Sequence, residues 1–328
     1  MAVNLAVSAD ALRAPEPARL RSWYAVCASQ ALGPGQVRTF DLGGHERVLF
    51  RTARGQVHAL AAHCPHLGAH LGRGAVVGEH LRCPLHHLGF DGRGACHAAP
   101  GTGERLPRPS QRAFPVVERH GLILLFNGPV VLAPPPEVGV PGLCWRAGAP
   151  VTVDCAWQPI VANAFDIEHL RAVHRRELRD EPRVERVDPF TLRLRYTSRV
   201  TGGAPADRMM KALSGDHIRV TLTLYGGTLL SVESDLGRTR SALLAGLSPA
   251  PGGTSVLLSF AAPPSPVPGL TRARLALSRW LYTAFLRRDL SVLAGMRLRT
   301  DAARQDPVLR PLLDFLAQLP GAPDDAHD

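Results

Sequence analysis

Apolar residues fall into two regimes along this chain. From about Ser22 to Leu132 they come in short runs, Arg47–Arg51, Val57–Ala61 and Leu122–Phe126, each fenced by glycine- or proline-bearing connections. Runs of that length read as strands of a small antiparallel β domain. Ala133–Gly142 is proline-rich, a semi-rigid connector. Beyond it, strand-like runs at Thr191–Tyr196, Ile218–Leu224, Leu229–Glu233 and Val256–Phe260 lie between helical segments near Pro159–Arg176 and Thr271–Arg304. The expected fold is α+β, an antiparallel sheet with helices packed on one side. The boundaries implied are an N-terminal extension over 1–21, a first domain over 22–132, a connector over 133–141, a second domain over 142–319 and a disordered tail over 320–328.

Composition bounds the possibilities. A chain of 328 residues suits two domains, and 45% apolar residues suffice for two cores. Met1–Leu20 has no apolar core and carries Asp10, Arg13, Glu16 and Arg19, unlike a secretory signal. The longest apolar stretch is broken by Asn127, Gly128 and Pro129, too soon to span a membrane. A cytoplasmic protein is expected. The net charge of +10 comes almost wholly from scattered arginines, with Lys211 the only lysine. That pattern lacks the basic stripe of a nucleic-acid binder, though it suits steering of an acidic partner. Six cysteines in a chain this long do not make a disulfide scaffold, and Cys27, Cys96, Cys144 and Cys155 read as small buried hydrophobes.

The other two cysteines sit in Cys64-Pro65-His66 and, sixteen residues later, Cys83-Pro84-Leu85-His86. Two thiolates and two imidazoles from two loops read as a Rieske [2Fe–2S] centre, with Cys64, His66, Cys83 and His86 as ligands. Structural zinc pairs like ligands at short spacing, which C-x-H with C-x-x-H does not. Gly68, Gly72, Gly74, Gly89, Gly92 and Gly94 punctuate the same loops and let backbone N–H groups approach cluster sulfurs. High-potential respiratory centres resemble C-x-H-x-x-C with C-x-C-H; those extra cysteine positions are Ala69 and Leu85 here, so the centre looks like the low-potential type. Cys83–Cys96 resembles the oxygenase form C-P-x-H-G-W-x-F-D-x-x-G-x-C, with His87 and Leu88 replacing the usual Gly and Trp. His63, His70 and His87 are read as loop or surface residues.

A second constellation is Asn163, Asp166, His169 and His174, spaced N-x-x-D-x-x-H-x₄-H. Two histidines near a carboxylate are the material of the 2-His-1-carboxylate triad of O₂-using ferrous enzymes. Five residues turn a regular helix by about 140°, so both rings face one metal only if the helix bulges or unwinds between them.

Together the motifs resemble the oxygenase (α) component of Rieske non-haem iron oxygenases, over roughly Trp23 to Asp306. The nearest likeness is to short α-only members such as vanillate and dicamba demethylases, ketosteroid hydroxylases and Neverland-type desaturases. The resemblance implies a Rieske domain plus a helix-grip catalytic domain holding mononuclear Fe(II), usually in a homotrimer. It also implies O₂ and electrons from NAD(P)H through a ferredoxin or flavin reductase, and a bulky hydrophobic substrate. Hydroxylation, demethylation, desaturation and oxidative cyclisation all remain open. The third iron ligand it requires is a downstream aspartate. Asp289, Asp301 and Asp306 are candidates, and Asp289 is favoured by its apolar helical neighbours. By the same resemblance Asp166 bridges His169 to a cluster histidine of the adjacent subunit, and Asn163 orients oxygen or water. The competing reading is a Rieske electron-transfer protein without a working mononuclear iron site.

Overall fold

The computed structural model describes residues 20–97, 109–139, 141–215 and 217–321; the expected extension up to residue 19 and the tail from 322 lie outside the described residues. Eleven strands precede residue 127: β1 (Trp23–Ala28), β2 (Val37–Leu42), β3 (His45–Arg51), β4 (Val57–Ala61), β5 (Ala75–Val77), β6 (His80–Arg82), β7 (Gly89–Phe90), β8 (Cys96–His97), β9 (Ala113–Phe114), β10 (Val116–Arg119) and β11 (Leu122–Phe126). They pair antiparallel as β1-β11-β10, β2-β3-β4-β9 and β5-β6-β7-β8. Val48, Phe50, Leu60, Leu81 and Phe90 pack in one core with Cys64 and Cys83. Arg51, at the end of β3, is buried with its donors spent on Leu32, Gly55 and Ser29 carbonyls and, through two nitrogens, on Glu118 at 2.9 and 3.0 Å.

The second half contributes β12 (Cys144–Ala147), β13 (Val151–Val153), β14 (Arg176–Leu178), β15 (Arg183–Asp188), β16 (Thr191–Val200), β17 (Ile218–Tyr225), β18 (Leu229–Asp235), β19 (Arg240–Ala250) and β20 (Gly253–Ala262), one nine-stranded antiparallel sheet. Its helices are α1 (Trp157–Phe165), α2 (Ile167–Ala172), α3 (Pro205–Ser214), α4 (Leu270–Leu293), α5 (Thr300–Ala303) and α6 (Leu309–Ala317). The α+β expectation holds, with α4 packed against β20 and β12 of the sheet as expected of a helix-grip fold. The helical segment expected near Pro159–Arg176 is broken at Asp166, and the one expected over Thr271–Arg304 stops at Leu293 ahead of Gly295, whose φ is 70°.

The central strands are covered on both faces. Leu229, Ala242 and Leu244 join Trp23, Ala25 and Leu124 in one cluster, while Leu230, Ala245 and Leu247 face Trp157, Val161 and Leu312 in another. Two-sided burial makes residues 242–247 an unbroken apolar run rather than an alternating one. The contact is close: a Cβ on Gly246 would lie 2.3 Å from that of Ala25. Among the described residues no helix is long and apolar enough to cross a membrane.

Candidate functional site

The cysteine motifs occupy two loops of matching construction. In the first, Cys64 N–H donates to the Ala69 carbonyl at 2.8 Å and Gly68 N–H to the Cys64 carbonyl at 2.8 Å. In the second, Cys83 N–H donates to Leu88 at 2.8 Å and His87 N–H to Cys83 at 3.1 Å. His63 pairs with His70, and Arg82 with Gly89, across the two loop bases. Both turns demand positive φ four residues past the cysteine, 73° at Gly68 and 60° at His87. His87 therefore replaces glycine at the very position where glycine relieves backbone strain.

Cys64 and Cys83 are buried side by side, and the rings of His66 and His86 lie with centroids 4.9 Å apart. Burial pushes the Cys64 thiol up to about 11; N–H donors from His66 and Leu67 pull against this, and the neighbouring Cys83 pushes with it. A pair of buried neighbouring thiols suits a site whose metal charge stabilises thiolates. The Nδ1 of His66 is buried without a hydrogen-bond partner, an orphan that iron ligation would satisfy. These four residues fit a Rieske cluster. His70 has both ring nitrogens engaged, Nε2 near Glu46 at 3.2 Å and Nδ1 accepting from Gly72 N–H at 3.0 Å.

The second group is built by a chain that leaves the helix twice. Asp166 is extended, with φ −77° and ψ 108°, and its Oδ1 caps α2 by accepting the His169 N–H at 2.9 Å. After Ala172 the helix ends, and Arg175 adopts φ 53° to turn the chain into β14. The required unwinding is thus helix termination, which swings His174 back beside His169. Nε2 of His169 and Nε2 of His174 are 3.1 Å apart, and each is 2.8 Å from Oδ1 of Asp289 on α4. Ligands about 2.1 Å from a metal and adjacent on an octahedron stand about 3.0 Å apart, so this triangle fits a divalent metal bound on one face. Asp301 is exposed, and Asp306 is used on the N–H groups of Val308 and Leu309.

Burial raises the Asp289 carboxyl, but the hydrogen bonds and charges of His174 and His169 outweigh it and leave it below the usual carboxylate range. Burial lowers His174. Phe285 lies flat on His174, centroids 3.5 Å apart and planes 5° from parallel. The triad opens on a cavity of about 220 Å³ lined also by Asn163, Asp166 and leucines and valines of β17 to β20. None of its lining residues comes from 22–126. A second cavity of about 280 Å³ adjoins it, the two sharing Leu170, Tyr196, Val232 and Phe285.

A family model for the Rieske [2Fe–2S] domain matches residues 22–116. This part of the chain is a Rieske domain. The chain is 37% identical over 181 residues to the oxygenase component of dicamba O-demethylase from Stenotrophomonas maltophilia, covering 52% of this chain and 53% of that protein. It is 34% identical over 209 residues to 4beta-methylsterol monooxygenase from Methylococcus capsulatus, covering 59% and 56%. The chain thus spans about half the length of the curated relatives it matches. The crystal structure of dicamba monooxygenase bound to dicamba superposes with a TM-score of 0.66 at 23% identity, over 93% of this chain and 98% of that one, so the whole fold is shared. The likeness read from the Rieske and iron motifs stands.

Sequence reasoning did not single out Arg176, Tyr196 or the stacking of Phe285. Arg176 is one arginine among many, and no spacing marks it.

Proposed function

We propose that this chain is the oxygenase component of a Rieske-type system, oxidising a bulky hydrophobic small molecule with O₂ and two electrons from a separate ferredoxin or flavin reductase. The observation that carries the reading is the His169–His174–Asp289 triangle opening on an apolar cavity in a chain with a Rieske domain. Cys64, His66, Cys83 and His86 would hold the cluster, and His169, His174 and Asp289 would hold Fe(II). Together these groups supply single-electron transfer and dioxygen activation. The overall balance takes up two electrons and two protons per O₂; in a monooxygenation one oxygen enters the product and one leaves as water.

The chain's own residues position and shield. Leucines and valines of β17 to β20 exclude water and seat the hydrocarbon, so the bond they hold nearest the triad decides between hydroxylation, demethylation, desaturation and ring closure. Phe285 fixes the plane of His174. Asn163 lines the cavity and offers a hydrogen bond beside the open face of the triad. Asp166 holds His169 through its backbone. In a homotrimer Asp166 would also join His169 to a cluster histidine of the neighbouring copy. The same reading divides the chain into a Rieske domain over 22–132, a connector over 133–141 and a catalytic domain over 142–319.

Iron and acid-labile sulfide per chain, after anaerobic ferrous loading, test the reading. About three irons with two sulfides are expected, two of each for the cluster and one iron for the triad. Two of each would favour the electron-transfer alternative; zinc without sulfide would overturn both.

A further inference from the structure

Arg176 has no ordinary structural explanation. It is only 7% exposed, its Nη1 is buried without a hydrogen-bond partner, and no ion pair reaches it among the described residues. Arg51, as deeply placed, shows what a structural arginine looks like here, with every donor matched. The carboxylates near Arg176 are committed elsewhere. Asp207 pairs with Arg288 at 2.9 Å and caps α3 through Ala204 N–H at 3.2 Å, and Glu177 pairs with Arg199 at 2.6 Å. Asp207 still acts on Arg176 through its charge, but an Nη1 left without a hydrogen bond in the interior is costly unless an acceptor arrives to meet it.

What it faces is the second cavity. Arg176 lines that space with Arg238, Arg240 and Arg274, and no aspartate or glutamate among the described residues does so. Phe285 lines both cavities: its ring stacks on His174, and the Arg176 guanidinium carbon lies over the ring, 5.9 Å from its centroid. The cation and the metal triad therefore both meet Phe285, beside a wall whose residues line both cavities.

We propose that the second cavity is an anion subsite, in which Arg176 receives the carboxylate of a substrate whose apolar body extends past Phe285 to the triad. The substrate class narrows from a hydrophobic molecule to a hydrophobic carboxylic acid, oxidised at a carbon remote from its carboxylate. This rests on the reading of the triad cavity as the oxidation site.

The test uses cluster-loaded protein freed of mononuclear iron by chelation, so that it reads binding and not turnover. Isothermal titration compares 2-naphthoate with its neutral isostere 2-naphthamide. A charge-assisted hydrogen bond in a buried site corresponds to about ten- to hundred-fold tighter binding of the naphthoate. Arg176→Met should erase that preference while keeping the naphthamide affinity, and its melting temperature should hold or rise because an unpartnered charge is gone. Arg176→Lys should keep part of the preference. Equal affinity of the wild type for the two probes, or binding of neither, overturns the proposal. So does a lower melting temperature for Arg176→Met with the preference intact, since Arg176 would then be serving the fold. A third iron without naphthoate preference would sink the subsite and leave the oxygenase reading standing; the reverse result would do the opposite.

Discussion

Replacing His87 with glycine should stabilise the cluster domain. His87 holds φ at 60° in a loop whose twin uses Gly68 at 73° for the same turn. Its side chain is exposed, and no hydrogen bond of its ring offsets the strain among the described residues. A non-glycine residue in the left-handed region costs about 1–2 kcal/mol. Glycine forfeits about 0.5–1 kcal/mol through the greater freedom of the unfolded chain. The balance favours His87→Gly by about 0.5–1 kcal/mol, or roughly 1–4 °C in melting temperature for a protein of this size. Gly68→His supplies the mirror experiment. Nothing lies within 4 Å of a Cβ built there, so it adds strain without a clash and should lose a similar amount. Thermal melts followed by the visible circular dichroism of the cluster would read both variants. An unchanged or lower transition for His87→Gly, or a neutral Gly68→His, would refute the claim that one backbone geometry governs both loops.

Three further expectations follow from the geometry. His169→Ala should abolish turnover and remove mononuclear iron while leaving the electron paramagnetic resonance signal of the reduced cluster; loss of that signal would show the two centres had been confused. Asp166→Asn keeps a good helix cap, so the fold and both metals should survive while electron transfer between subunits fails, and a normal single-turnover rate would rule out the bridge. Glu118 is held below its ordinary 4.5, chiefly by its bond to Arg51 and against the effect of burial. A depressed carboxyl contributes stability that is complete above its unfolded value and lost as pH falls through the folded one. The stability advantage of the wild type over Glu118→Gln should therefore be full above about pH 5 and shrink in more acid buffer, as pH-dependent denaturation would show.

Much of the fold was legible where strands have one dry face or firm punctuation. Val57–Ala61 and Leu122–Phe126 are strands with the bounds their apolar runs suggest. β19 escaped notice because burial on both faces removed the alternation that marks a strand. α6 was missed for another reason: its apolar stripe gains meaning only from the Trp157 and Val161 side chains it packs beside. The metal candidates were legible because their chemistry fixes residue type and short spacing. Asp289 was legible more weakly, as a carboxylate on an apolar helix face.

By itself, then, the sequence marked the candidate ligands that lie close together along the chain: two cysteines and two histidines in paired loops, and two histidines after Asp166. Short-range spacing suffices there, since such a group depends on few atoms held by local backbone, whereas the aspartate stayed one of three candidates. Tertiary structure alone decided that α2 ends before His174, that Asp289 returns across 115 residues to within 2.8 Å of it, and that Phe285 stacks on it while also meeting Arg176. Those placements depend on how α4 lies against the sheet, a packing outcome summed over many weak apolar contacts that no local pattern records.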